Sequence, residues 1–149
     1  MLRSWYVVFF LLPWLPERTM SARNFALVRK VFKRAPARRG AFSEDDIEQY
    51  VQALSLPGAL TAALNYYRAN VRSDAIALGR SARIAADTLV IWGERDPALT
   101  VGLLDGLEIV APRVQVHRIP DAGHYVQNEA PQEVNQILMD FLLRMNRSG

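Results

Sequence analysis

The sequence contains no cysteine. Disulfides, thiolate metal sites and a thiol nucleophile are therefore excluded. Histidine occurs only twice, which suggests no metal site. Long hydrophobic runs are also missing. The strongest apolar stretch, residues 5–15, falls short of the roughly 20 residues that span a bilayer, and Pro13 breaks it. It resembles the front of a signal peptide, but Pro13, Pro16, Glu17 and Arg18 stand where small residues would mark a cleavage site. It reads instead as a segment that packs on something, and its covering partner is expected to lie outside this chain. Charge of one sign is modest, with a net charge of +3. Basic residues crowd into 18–39, including Arg23, Arg29, Lys30, Lys33, Arg34, Arg38 and Arg39. They read as a solvated helix face and loop, since no nucleic-acid motif accompanies them.

What remains is an ordinary globular composition, half of it hydrophobic, over 149 residues. That length suits one domain or part of a larger one. The most informative stretch is residues 87–96, Asp-Thr-Leu-Val-Ile-Trp-Gly-Glu-Arg-Asp. Leu89, Val90, Ile91 and Trp92 predict a strand buried on both faces, and Gly93 ends it. Asp96 then stands on a loop beyond the strand's carboxyl end, where open α/β sheets place their ligands.

Before this stretch the pattern is helical. Phe25, Val28 and Phe32 are helically spaced and predict a helix over 21–31. Residues 35–40 form a loop. Ser43 predicts an N-cap, with Glu44, Asp45 and Asp46 in the first turn, where the helix dipole favours carboxylates. Ile47, Tyr50, Val51 and Leu54 supply that helix's apolar face. Pro57 and Gly58 precede another helix from Ala59 to about Val71.

After residue 87 the character changes. Residues 100–110 predict a helix with Leu103, Leu104 and Leu107 on one face. Residues 114–119 predict a second strand, which runs into the turn Pro120-Asp121-Ala122-Gly123-His124. Pro131 suits the first turn of a final helix, where its missing N–H costs nothing. Val134, Ile137, Leu138, Phe141 and Leu142 line that helix. Strand, helix, strand, helix implies parallel strands. Two strands make no independent sheet, which again points to a missing part.

Asp96 and His124 thus follow successive parallel strands, twenty-eight residues apart, and their loops share one sheet edge. There the carboxylate can accept from one ring nitrogen and fix the tautomer. The other nitrogen is left to act as a base.

Residues 89–96, Leu-Val-Ile-Trp-Gly-Glu-Arg-Asp, and 120–131, Pro-Asp-Ala-Gly-His-Tyr-Val-Gln-Asn-Glu-Ala-Pro, resemble the C-terminal part of an α/β-hydrolase. The resemblance implies an α/β fold class: a partial α/β-hydrolase fold with a helical cap over residues 1–80 and a C-terminal β-α-β-α part of the core over 81–149. It makes Asp96 the triad acid and His124 the base, following a nucleophile in chain order. Residues 4–17 and Leu64-Asn65-Tyr66-Tyr67-Arg68 are similar to two cap stretches of the epoxide-hydrolase branch. In those enzymes an aspartate opens the epoxide to an ester, the histidine activates water to hydrolyse it, and two cap tyrosines donate to the departing oxygen. Tyr67 matches one of these tyrosines. Phe9 aligns with the other, while Tyr6 lies one helical turn away.

No Gly-x-Ser-x-Gly elbow or aspartate equivalent occurs in the sequence. The expectation is therefore a truncated gene, a misplaced start or a split gene, inactive on epoxides and esters unless completed. A dehalogenase-like or other capped hydrolase is one alternative. A non-catalytic remnant acting as an interaction protein through its apolar opening segment is another. A membrane-anchored protein ranks last. The implied substrate is a small apolar organic molecule. A complementing N-terminal half or a second copy is the expected partner, with no nucleic acid, no stable membrane insertion, no cofactor and no metal. A cytoplasmic location is compatible with the composition.

Overall fold

The computed structural model describes residues 5–72 and 83–147. Two compact units are distinguished: Met1–Arg34 with Phe42–Ser81, and Ala35–Ala41 with Ala82–Gly149. The loop at 35–41 thus groups with the second unit, although helices of the first unit flank it in sequence.

The first unit contains α1 (Trp5–Leu11), α2 (Leu15–Arg34), α3 (Glu44–Ser55) and α4 (Ala59–Arg72). Phe25, Val28, Val51, Leu60 and Leu64 form its buried core, with Phe10, Met20, Phe32 and Leu54 packed around them. Ser43 caps α3 as its sequence predicts: the Asp46 N–H donates to the Ser43 hydroxyl, and the Ser43 N–H donates to the Asp46 carboxylate. Ile47 and Val51 bury the inward face of α3, while Tyr50 stacks on Phe32 at its margin.

One expectation needs correction here. The helix predicted over 21–31 is broken near its start, where Arg23, Asn24 and Phe25 take left-handed backbone conformations. Each costs roughly 1–2 kcal/mol in a non-glycine residue. The break turns Phe25 and Val28 into the core, and their burial opposes that cost. In the opening apolar segment Phe10 packs against the core, while Val8 and Trp14 are exposed. Two residues of the basic stretch form ion pairs with α3, Arg29 to Glu48 at 2.7 Å and Lys33 to Glu44 at 2.7 Å.

The second unit holds β1 (Thr88–Gly93), a 3₁₀ turn (Val101–Leu104), α5 (Leu107–Val110), β2 (Val114–Ile119), α6 (Val126–Glu129) and α7 (Pro131–Arg147). The strands are parallel, in a register that sets Thr88 against Val114 and Gly93 against Ile119. Ile119, Ala122 and Ala130 form the core, with Ile91, Val126, Val134 and Ile137 against them.

Here two expectations fail. Residues 88–92 are half-buried rather than buried on both faces, because β2 is the one strand paired to β1 among the described residues. The helix predicted over 100–110 is two short turns. Gly106, with φ of +79°, separates them, and Leu103 and Ile109 are exposed. Leucine spacing suggested one apolar face, but a glycine in the left-handed conformation ends a helix instead of continuing it.

Candidate active site

The register of the two strands puts the chain ends that follow them side by side. Pairing continues past the strands: the Glu94 N–H donates to the Ile119 carbonyl at 3.1 Å and the Arg95 N–H to the Ala122 carbonyl at 2.9 Å. The backbones come so close that a Cβ on Gly93 would lie 2.2 Å from the Gly123 carbonyl oxygen. Only glycine fits there. Gly123 is similarly confined, because its Cβ would meet a Glu129 carboxylate oxygen at 3.0 Å and the Ala37 side chain at 3.2 Å.

This approach brings Asp96 and His124 together. His124 Nδ1 lies 2.8 Å from Asp96 Oδ2. A carboxylate can only accept, so Nδ1 carries the proton and donates, and Nε2 presents its lone pair. Among the described residues Nε2 has no hydrogen-bond partner. The Asp96 side chain is 7% exposed and the His124 side chain 39%. The acid is therefore sequestered while the imidazole stays accessible.

Asp96 is itself held from behind. Its Oδ1 accepts from the Ala98 N–H at 2.7 Å and the Leu99 N–H at 2.9 Å. Pro97 has no N–H to compete, so the side chain closes a turn onto the next two donors. One carboxylate oxygen thus serves the loop and the other serves the histidine.

A pocket of about 150 Å³ opens beside the pair, lined by Ile91, Trp92, Leu99 and Val126 as well as Gly93, Asp96, Gly123 and His124. It is apolar apart from the pair and the backbone. The Trp92 indole Nε1 is buried with no partner among the described residues. No group of three or more His, Cys, Asp or Glu among the described residues could hold a metal ion.

Tyr67 lies in the first unit, on α4, half-buried. Its ring meets Phe10 at 5.0 Å and Tyr6 at 6.4 Å, edge-on to the latter. Burial, followed by the neighbouring Tyr6 and Tyr66 phenols, raises the Tyr67 pKa above the ordinary phenol value. Like any phenol at neutral pH, its hydroxyl can donate a hydrogen bond. Phe9 touches Phe10 instead, and two further phenol rings lie near Tyr67: Tyr66 at 5.6 Å and Tyr6 at 6.4 Å. Arg68, the next residue, binds α1 to α4. It donates to the Phe10 and Leu12 carbonyls at 2.9 and 2.8 Å and to Glu17 at 2.7 Å.

One residue beside the site escaped the sequence reading. Glu129 is 5% exposed and lies at the end of α6. Its only local signal is an acidic side chain two positions ahead of the Pro131 that opens α7.

Paired parallel strands, an acid and a histidine on their adjoining loops, and a helical unit in the same chain are features of a known class. The Alpha/beta hydrolase family matches residues 2–137, and the chain belongs to that family. Among curated relatives it is similar to epoxide hydrolase 3 of Mus musculus, with 32% identity over 94% of this chain and 38% of the relative. It is also similar to epoxide hydrolase 4 of Homo sapiens, with 30% identity over 99% of this chain and 41% of the relative. A crystal structure of a variant epoxide hydrolase from Bacillus megaterium aligns with a TM-score of 0.75 at 28% identity, covering 94% of this chain and 51% of that one. The chain thus spans well under half the length of these curated relatives and about half of the solved structure. No helix among the described residues is long and apolar enough to cross a membrane.

Proposed function

We propose that this chain supplies the cap and the acid–histidine pair of an epoxide hydrolase that works through an ester on an aspartate outside these 149 residues. Asp96 is the acid that orients and stabilises the imidazole, and His124 is the base. The observation that carries the reading is the 2.8 Å contact from His124 Nδ1 to a sequestered Asp96, which leaves Nε2 of a partly exposed ring available. Such a nitrogen can take a proton from water as that water adds to an ester carbonyl. The glycol oxygen then leaves and the carboxylate is regenerated. Tyr67 is the donor to the epoxide oxygen when its C–O bond breaks and it becomes an alkoxide. The half-buried position of its phenol, a hydrogen-bond donor, supports this role. The likeness to epoxide hydrolases supports the substrate class, a small apolar epoxide. A complementing core half or a second copy of the chain is the proposed partner, in a cytoplasmic setting.

The test joins this chain to a core half that contains an aspartate elbow and assays an aryl epoxide. Diol formation is expected. His124→Ala should then stop turnover while the enzyme accumulates the ester, visible as a mass increase on the aspartate. Undiminished multiple turnover of His124→Ala would refute the assignment. The chain alone is expected to hydrolyse neither epoxides nor esters.

A further inference from the structure

Glu129 is a carboxylate buried to 5% exposure that the proposed chemistry does not use. Burying such a group costs several kcal/mol unless hydrogen bonds replace the lost water, so its partners show what it is for. Its Oε2 accepts from the Gly123 N–H at 2.9 Å and from the Arg38 N–H at 2.9 Å. Its Oε1 accepts from the Tyr125 N–H at 3.1 Å. Gly123 and Tyr125 are the two residues that flank His124. The carboxylate thus grips the backbone on both sides of the histidine and leaves its side chain untouched.

The grip is braced from outside. The Arg38 guanidinium donates to the Glu129 carbonyl at 3.2 Å, to Asp121 at 2.6 Å and to Glu133 at 2.7 Å. Asp121 lies at the start of the histidine turn and Glu133 in the first turn of α7. The loop at 35–41 therefore ties the start of the turn to the helix that follows it. Gly123 has no Cβ because Glu129 and Ala37 occupy that space.

We infer that Glu129, braced by Arg38, is a positioning residue that fixes the His124 ring against Asp96. The inference rests on the proposed acid–base reading of that pair. Two N–H donors on either side of one residue set the backbone dihedrals that aim its side chain. Without that constraint His124, which is exposed, would sample other rotamers, and the Asp96 contact would become intermittent. Glutamine in place of Glu129 has almost the same shape but offers an NH₂ where one carboxylate oxygen accepted. At least one of the three backbone donors then faces a donor.

The experiment is ring-nitrogen NMR of His124 in the full chain, with the His117→Gln variant for assignment. The native chain should show the Nδ1–H tautomer. Asp96→Asn should abolish that preference. Glu129→Gln should lower the Nδ1–H fraction by at least about half, with the chemical shifts of α3 and α4 unchanged. Glu129→Asp, which keeps the charge on a shorter arm, should restore part of it. A native His124 without that preference, unaffected by Asp96→Asn, would sink the acid–base reading itself. A locked native tautomer that Asp96→Asn releases and Glu129→Gln leaves intact would sink the positioning role alone. If Glu129→Gln does not fold, amide exchange in the native chain decides. Gly123 and Tyr125 amides protected as well as those of β2 support the grip, and exchange at open-loop rates overturns it.

Discussion

Replacing Asp96 with asparagine should invert the histidine, and the geometry dictates why. The side-chain amide has one acceptor and one donor end. The Ala98 and Leu99 N–H groups, at 2.7 and 2.9 Å from Oδ1, demand an acceptor. The amide oxygen must therefore remain there, because the reverse orientation would set two donors against a third. The NH₂ is then left facing His124 Nδ1 at the position of Oδ2, which is 2.8 Å away. Nδ1 must give up its proton to accept, and the proton moves to Nε2. The nitrogen that was available as a base becomes a donor.

The magnitude follows from the bond exchanged. A hydrogen bond to a charged partner contributes about 1.5–3 kcal/mol. His124 is 39% exposed, so the lower end applies. That is roughly tenfold in favour of Nδ1–H in the native chain, and the variant should prefer Nε2–H instead. Folding stability should fall by only about 1 kcal/mol, since a neutral hydrogen bond replaces a charged one. In a completed hydrolase the corresponding loss of turnover is on the order of 10⁴-fold, with substrate binding retained. Ring-nitrogen NMR of the chain and single-turnover assays of the completed enzyme read the two effects. A variant that keeps Nδ1–H, or that turns over at the native rate, would refute the reasoning.

Three further outcomes are expected. Gly93→Ala forces a Cβ to within 2.2 Å of the Gly123 carbonyl oxygen, so one backbone must move; thermal unfolding should show a loss of about 1–3 kcal/mol, and the Asp96–His124 contact should open. Ser43→Ala removes the reciprocal cap of α3 and should cost about 1 kcal/mol in urea titrations, whereas an unchanged midpoint would contradict the cap. Glu17 is held below its ordinary value of 4.5, chiefly by its hydrogen bond to Arg68; the pair's stabilisation is therefore full above that pH and declines as pH falls through the lower folded value. Glu17→Gln should flatten this acid dependence in helical circular dichroism, and an identical acid profile would count against it.

The parts legible in the sequence are those where chemistry and position coincide. Ser43 followed three residues later by Asp46 is a cap in any context, and the structure has it as one. The run ending at Gly93 and the alternation over residues 114–119 give two strands, and a helix-length connection makes them parallel. The parts that were not legible depend on distant partners. At residues 23–25 the only local sign of a left-handed break is Asn24, a type that tolerates that conformation, and no glycine or proline accompanies it; the burial of Phe25 and Val28 goes with the break. Glu129 looks like a surface acid because its partner Arg38 lies ninety-one positions away in sequence. Periodicity reports faces within one element and cannot report a loop from another part of the chain filling a gap behind a turn.

That same loop explains how a sheet of two described strands can hold a sharp geometry at its edge. Two strands alone give little stability. Here the edge is not left to the ladder. Gly93 lets β1 press against the 122–123 backbone, Arg95 extends the pairing beyond Ile119, and Asp96 is fixed by its own turn. On the other side Glu129 holds both neighbours of His124, and Arg38 secures Glu129. Every one of these contacts lies within the second unit. The acid–histidine geometry is therefore a local property of residues 35–41 and 83–147, and it should persist whatever supplies the attacking group. A chain in which the pair formed only after a core half was added would show the opposite: that the ladder, not the loops, aligns the two side chains.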